Sequence, residues 1–180
     1  MIQEEYKGLY ITVESDPDAQ SPRQDYDCFG TLVGFGRYSY IGDKHEFKTT
    51  QDLDKYMKRN NCLKLPVYMY VHSGMTISTA PYSCPWDSGQ LGYIYVTPEN
   101  VRKEYNVKRI SKKIRDKAIA LLEREVKQLD KYLVEGMYCF LVKDADDEVV
   151  DSCCGFDDEA DCLTEAKAAA DSYINSLTKA

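Results

Sequence analysis

Residues 65–100 read LPVYMYVHSGMTISTAPYSCPWDSGQLGYIYVTPEN, and this stretch decides how the chain folds. Residues 65–71 are β-branched and aromatic, with Pro66 near the start, where a missing amide does least harm. His72-Ser73-Gly74 turns the chain, and residues 75–79 return as the hairpin partner. Residues 80–90 form a loop with two prolines, and residues 91–96 are a further strand. Thr97-Pro98-Glu99 then starts a helix, with Thr as N-cap and Pro in the first turn. Strands joined by hairpins, with no helical crossover between them, predict an antiparallel α+β fold rather than a doubly wound one.

The pattern extends in both directions. Upstream, residues 8–14 (GLYITVE) read as a strand closed by the turn formers Ser15-Asp16-Pro17-Asp18. Residues 26–35 and 37–41 read as strands interrupted by Gly30, Gly34 and Gly36. Thr49 or Thr50 caps a helix to about Arg59, with Leu53, Tyr56 and Met57 on one face. Downstream, Ser111 opens the longest helix, which runs to about Val134. Its apolar stripe is Ile114, Ala118, Leu121, Leu122, Leu129 and Leu133, and Gly136 ends it. Residues 137–142 and 148–152 form a hairpin about an Asp-rich turn. A last helix over 158–177 turns Cys162, Ala166, Ala169, Tyr173 and Leu177 inward. The expectation is one α+β domain over residues 1–180, mainly antiparallel hairpins packed with three to four helices.

With 180 residues, 43% of them hydrophobic, the chain can bury a sizeable core and is not disordered. No apolar run spans a bilayer, and Met1-Ile2-Gln3-Glu4-Glu5 lacks the parts of a signal peptide, so a soluble, cytoplasmic protein is expected. The net charge of −7 is unevenly spread. Residues 99–131 hold 11 bases against 6 acids, whereas residues 144–180 hold 11 acids against 2 bases. Overall acidity disfavours general nucleic-acid binding. The basic residues Arg102, Lys103, Lys108, Arg109, Lys112, Lys113, Arg115 and Lys117 read first as a solvated helix face.

Seven cysteines, an odd number without a regular framework, read as reduced thiols. Their spacing is wrong for zinc, and the acids from Asp144 lack the Gly and Glu that a calcium loop needs. No metal and no cofactor is therefore expected.

The loop at 80–90 carries the only tryptophan, a cysteine and several polar residues, close after one of the two histidines. Such residues in a loop point to function more than to connection. One reading is nucleophilic catalysis, with Cys84 as nucleophile, His72 as base and Asp87 as orienter. A second is recognition, with Trp86 and Tyr82 as rigid anchors and Asp87, Ser88 and Gln90 as polar contacts. Against the second stands the commoner fate of a lone Trp, folded back as a lid on the core. A phosphate loop is rejected, since Ser88-Gly89-Gln90-Leu91-Gly92 enters a strand and no Lys follows. Tyr38 with Tyr40, Tyr68 with Tyr70, and Tyr93 with Tyr95 alternate along strands, so each pair shares a face that can receive a ligand or lie beneath a helix.

The run from LPVYMYVHSG through CPWDSGQLGYIYVTPENVRKEY, with EVKQLDKYLVEGMYCFLV and VVDSCCGF downstream, resembles uncharacterised small proteins encoded by bacteriophages and other bacterial mobile elements. The resemblance covers about half the chain and brings no reaction and no catalytic residues. It implies a context: an accessory protein acting inside a bacterial cell, against host machinery or host defence. The expected function is therefore a non-enzymatic binder or inhibitor of a host protein, with a counter-defence role. The alternatives are a small cysteine-dependent hydrolase or transferase using Cys84 and His72, and a protein that sequesters a small ligand.

Overall fold

The computed structural model describes residues 1–25 and 27–178. In chain order the elements begin with β1 (Ile2–Tyr6), β2 (Leu9–Ser15), α1 (Pro22–Asp25), β3 (Thr31–Gly34) and α2 (Thr50–Arg59). Then come β4 (Leu63–Val71), β5 (Met75–Ser78), β6 (Ser88–Val96), α3 (Pro98–Glu104) and α4 (Lys112–Glu135). The chain closes with β7 (Tyr138–Lys143), β8 (Val149–Phe156) and α5 (Glu159–Leu177). The fold is α+β, and every strand pairing is antiparallel, as the hairpin pattern predicts. Two compact units make it up: residues 1–20 with 135–180, and residues 21–134.

In the first unit the sheet order is β1-β2-β7-β8. Leu9, Ile11 and Val13 alternate inward along β2 and meet Phe140 and Val142 of β7. Each such fully buried side chain contributes about 1.5–3 kcal/mol. Helix α5 closes this core with Cys162, Ala166 and Ala170, small residues that let its backbone approach the sheet. Asp158 caps α5 by accepting from the amides of Ala160 and Asp161. The inward stripe expected at Ala169 and Leu177 is displaced, for Ala170 is the buried residue and Leu177 is exposed. Strand β1 was not expected. Its polar run Gln3-Glu4-Glu5 masks a hairpin that turns at Lys7-Gly8.

The second unit holds the sheet β3-β6-β4-β5. Ala118, Leu122, Val126 and Leu129 of α4 cover one face, against Leu32, Val67, Ile77, Ile94 and Val96. Leu53 and Met57 of α2 cover part of the other, against Val33 and Tyr95. Thr49 caps α2 and Thr97 caps α3, each accepting an amide three residues on. The strand expected at 37–41 is instead a 3-10 helix, Gly36–Ile41. Gly36 sits at φ +77°, which ends the extended run before it. Tyr38 and Tyr40 therefore alternate without belonging to the sheet. The expected strand from 26 begins at Thr31, and Tyr26 lies outside the described residues.

One feature of this unit has no counterpart in the apolar pattern. The Arg23 side chain, only 4% exposed, bonds Asp43 through two nitrogens, Glu125 at 3.1 Å and the carbonyl oxygen of Gly30. Glu125 also accepts from the amides of Phe29 (2.6 Å) and Gly30 (3.1 Å), and Asp43 accepts from Leu32 N at 2.8 Å. This buried ionic network fastens α1 and residues 29–30 onto α4. Every carboxylate in it has several donors, as a buried charge requires.

Candidate functional site

The segment between β5 and β6 is irregular but strapped down. Val71 N donates to Asp87 O at 2.8 Å, tying the loop's end to β4. Ala80 N donates to Ser78 Oγ at 3.0 Å, and Ser88 Oγ donates to Cys84 O. Below it, Asp130 of α4 accepts from Thr76 Oγ1 and from Ile77 N, both at 2.7 Å. Thr76 has one hydroxyl proton and gives it to Asp130, so the Tyr82 hydroxyl, 3.3 Å away, is the donor to Thr76. Tyr82 is thus locked in place by a chain of bonds that ends on the long helix.

Over this base lies a row of rings. Tyr70 packs on Tyr82 at 5.7 Å between centroids and on His72 at 6.4 Å, the latter pair nearly parallel. Trp86 stands clear of them all at 91% exposed. The sequence favoured a Trp folded onto the core, and the structure corrects this. The chain reverses at Pro85 and Asp87 is drawn back to β4, so the residue between them is thrust outward.

Cys84, Asp87 and His72 do converge, but in an order unsuited to nucleophilic catalysis. His72 Nδ1 lies 3.3 Å from Asp87 Oδ2, and Cys84 Sγ donates to the same oxygen at 3.8 Å. A catalytic thiol needs the imidazole next to it, with the carboxylate beyond. Here the carboxylate is the hub and the thiol hydrogen is directed at it. Asp87 acts as a clasp between its own loop and the β4–β5 turn that carries His72.

The tyrosine face divides. Strand β4 stays regular, because the residue left unpaired at the bulge, Leu91, belongs to β6. Lys64, Tyr68 and Tyr70 therefore share one face of the sheet. Lys64 sits over the Tyr93 ring and pairs with Asp54 of α2, which places α2 at that end. Lys58 and Lys64 together hold the Asp54 carboxyl down at about 2. Tyr95 is buried beneath α2, and burial raises its hydroxyl pKa. Tyr68, Tyr70 and Tyr93 remain half-buried, and Gln90 is exposed with its amide turned back to Gly92 O at 3.1 Å. Of the binding residues predicted from sequence, Tyr70, Tyr82 and Asp87 lie together with His72, and Trp86 projects outward from the same loop. Tyr93 and Tyr95 belong to the α2 side.

A separate cavity of about 570 Å³ opens in the same unit, between the 27–29 segment and helices α3 and α4. Asn100, Lys103, Arg124 and Gln128 line it, and Cys28 closes one side, its thiol pKa raised by burial. Of these only Lys103 carried a sequence signal, as part of the basic cluster, whose eight residues are all exposed.

Glu125 and Asp130 were missed, although their positions hold a clue. They follow Leu122 and Val126 by three and four residues, so both acids lie on or beside the buried stripe of α4. An acid there needs a partner. Among the described residues, no group of three or more His, Cys, Asp or Glu is placed to hold a metal ion, and no helix is long and apolar enough to cross a membrane. No family model, no curated protein and no solved structure matches this chain.

Proposed function

We propose that this chain is a non-enzymatic binding protein that occludes a protein of a bacterial host, with Trp86 as its anchor. The observation that carries this reading is the 91% exposure of Trp86 on a loop whose backbone and neighbouring rings are fixed. A large ring held outward on a braced loop loses little entropy on docking, and such residues dominate binding energy at protein interfaces. Tyr82, Tyr70 and His72 extend the contact area, and Asp87 with Gln90 supplies a polar rim. The resemblance to phage and mobile-element proteins supplies the context: an accessory product acting in the host cytoplasm, with a component of host defence as the class of target.

Affinity capture of the tagged protein from bacterial lysate tests this reading. One stoichiometric host protein, lost with Trp86→Ala, is the expected result. A capture unchanged by that substitution removes the anchor role.

The convergence of Cys84, Asp87 and His72 supports a second reading, a cysteine-dependent hydrolase or transferase. It requires that His72 displace Asp87 beside the thiol. Alkylation near neutral pH separates the two. The enzyme reading requires Cys84 to react far faster than Cys153 and Cys154, with the excess lost in His72→Ala. The binding reading predicts that Cys84 is no faster than those exposed thiols.

A further inference from the structure

Cys139 in β7 stands directly opposite Cys154 in β8. Opposed residues of an antiparallel pair have Cα atoms about 4.5–5.5 Å apart. That lies inside the roughly 4.4–6.8 Å that a disulfide spans. Their side chains project to one face of the sheet. Burial first, and the neighbouring Cys154 thiol second, push the Cys139 thiol up to about 12. Cys154, by contrast, is exposed on an edge strand, and both cysteines are free.

The ladder beside this pair is already irregular. Tyr138 is opposite Phe156 and Cys139 is opposite Cys154, so Gly155 is an extra residue, at φ +91°. Only glycine takes that conformation without strain. A bulge bends and twists the strand locally, which gives the two Cβ atoms room to close. Cys153 projects to the other face of β8, as alternation requires. Cys162 is buried under the sheet.

We propose that Cys139 and Cys154 are an oxidisable dithiol, closed to a cross-strand disulfide by hydrogen peroxide. The exposed Cys154 thiolate attacks one peroxide oxygen, the O–O bond breaks, and hydroxide leaves, taking up a proton to become water. Cys154 is then a sulfenic acid. The Cys139 sulfur attacks the Cys154 sulfur, the S–O bond breaks, and the departing hydroxide takes the Cys139 proton. Two thiols lose two electrons, and one peroxide becomes two waters.

The test uses the full chain, reduced and then treated with one equivalent of hydrogen peroxide, alkylated and digested with trypsin. Cleavage at Lys143 separates Cys139, in residues 132–143, from Cys153, Cys154 and Cys162, in residues 144–167. The expected product is a chain lighter by two hydrogens, with these two fragments linked and fragmentation placing the bond on Cys154. Cys153→Ser retains the link, whereas Cys154→Ser and, independently, Cys139→Ser abolish it. Closing a loop of about 15 residues also raises the melting temperature, by about 6–12 °C, and only in chains with both cysteines. Linkage to Cys153 or Cys162, linkage only between chains, or oxidation to sulfinic acid with no link would each overturn the proposal.

Discussion

Two segments of the 21–134 unit, the one around Arg23 and residues 79–87, are held by opposite means. The first is drawn inward, its Arg23 side chain buried among Asp43, Glu125 and the Gly30 carbonyl. The second is fixed by its own backbone and by the Tyr82–Thr76–Asp130 chain, and it carries its largest residue outward. The first segment stores its unusual chemistry where only folding can use it. The second presents its own where a partner can reach it. Costly residues in a loop are therefore not one class of signal: a buried, fully bonded charge reports stability, and a braced but bare ring reports contact.

This contrast makes sharp demands on mutants. Arg23→Ala leaves two part-buried carboxylates unpaired and is expected to cost about 3–5 kcal/mol, measured by urea unfolding. Arg23→Lys should recover only part of that, because an ammonium cannot reproduce the forked contact with Asp43. A loss under 1 kcal/mol for Arg23→Ala would remove the distinction between the segments. Asp130→Ala breaks two charged hydrogen bonds at once, to Thr76 and to Ile77 N, and should cost about 1.5–3 kcal/mol. It should also weaken partner capture, because Tyr82 loses its support.

These acids also show how far the sequence could be read. Antiparallel α+β architecture, the caps at Thr49 and Thr97, and the stripe of α4 were legible because each depends on local periodicity or a single capping side chain. Strand β1 was not, since Gln3 and Glu5 alternate as readily on a solvated sheet face as in a coil. The 3-10 turn at 36–41 was misread because Tyr38 and Tyr40 imitate strand alternation. At the candidate site, sequence proximity brought Cys84, Asp87 and His72 into one hypothesis, and the structure does gather them. Their order around Asp87 Oδ2 depends on how the loop is strapped to β4, which no spacing encodes. The partners of Arg23 lie 20 and 102 residues away, beyond any local pattern.

A gradual loss of stability is expected at alkaline pH. Burial raises the Cys28 thiol pKa in the inward segment, and raises Cys139 to about 12 and Cys162 to about 11 in the other unit. The folded chain keeps protons that the unfolded chain releases above the ordinary thiol value near 9. The contribution is whole below about 9 and fades as pH rises towards 12. Thermal melts over this range should show the midpoint falling, and Cys139→Ser should make the fall shallower. A midpoint that holds constant would contradict the burial of these thiols.

The smallest stability effect belongs to the most prominent residue. Trp86→Ala should change the unfolding free energy by less than about 0.5 kcal/mol, because its ring packs on nothing. The same substitution should abolish partner capture. A loss of 2 kcal/mol or more would mean that Trp86 belongs to the core after all.

The most direct test uses the fact that Trp86 is the only tryptophan. Its fluorescence, excited selectively over tyrosine, is quenched with acrylamide in the native protein, in the urea-unfolded protein, and in the presence of the captured host protein. Native and unfolded chains are expected to quench almost equally, with the complex protected and its emission shifted to the blue. A native Trp86 already shielded from quencher, or one that stays as accessible in the complex, would contradict its role as the anchor.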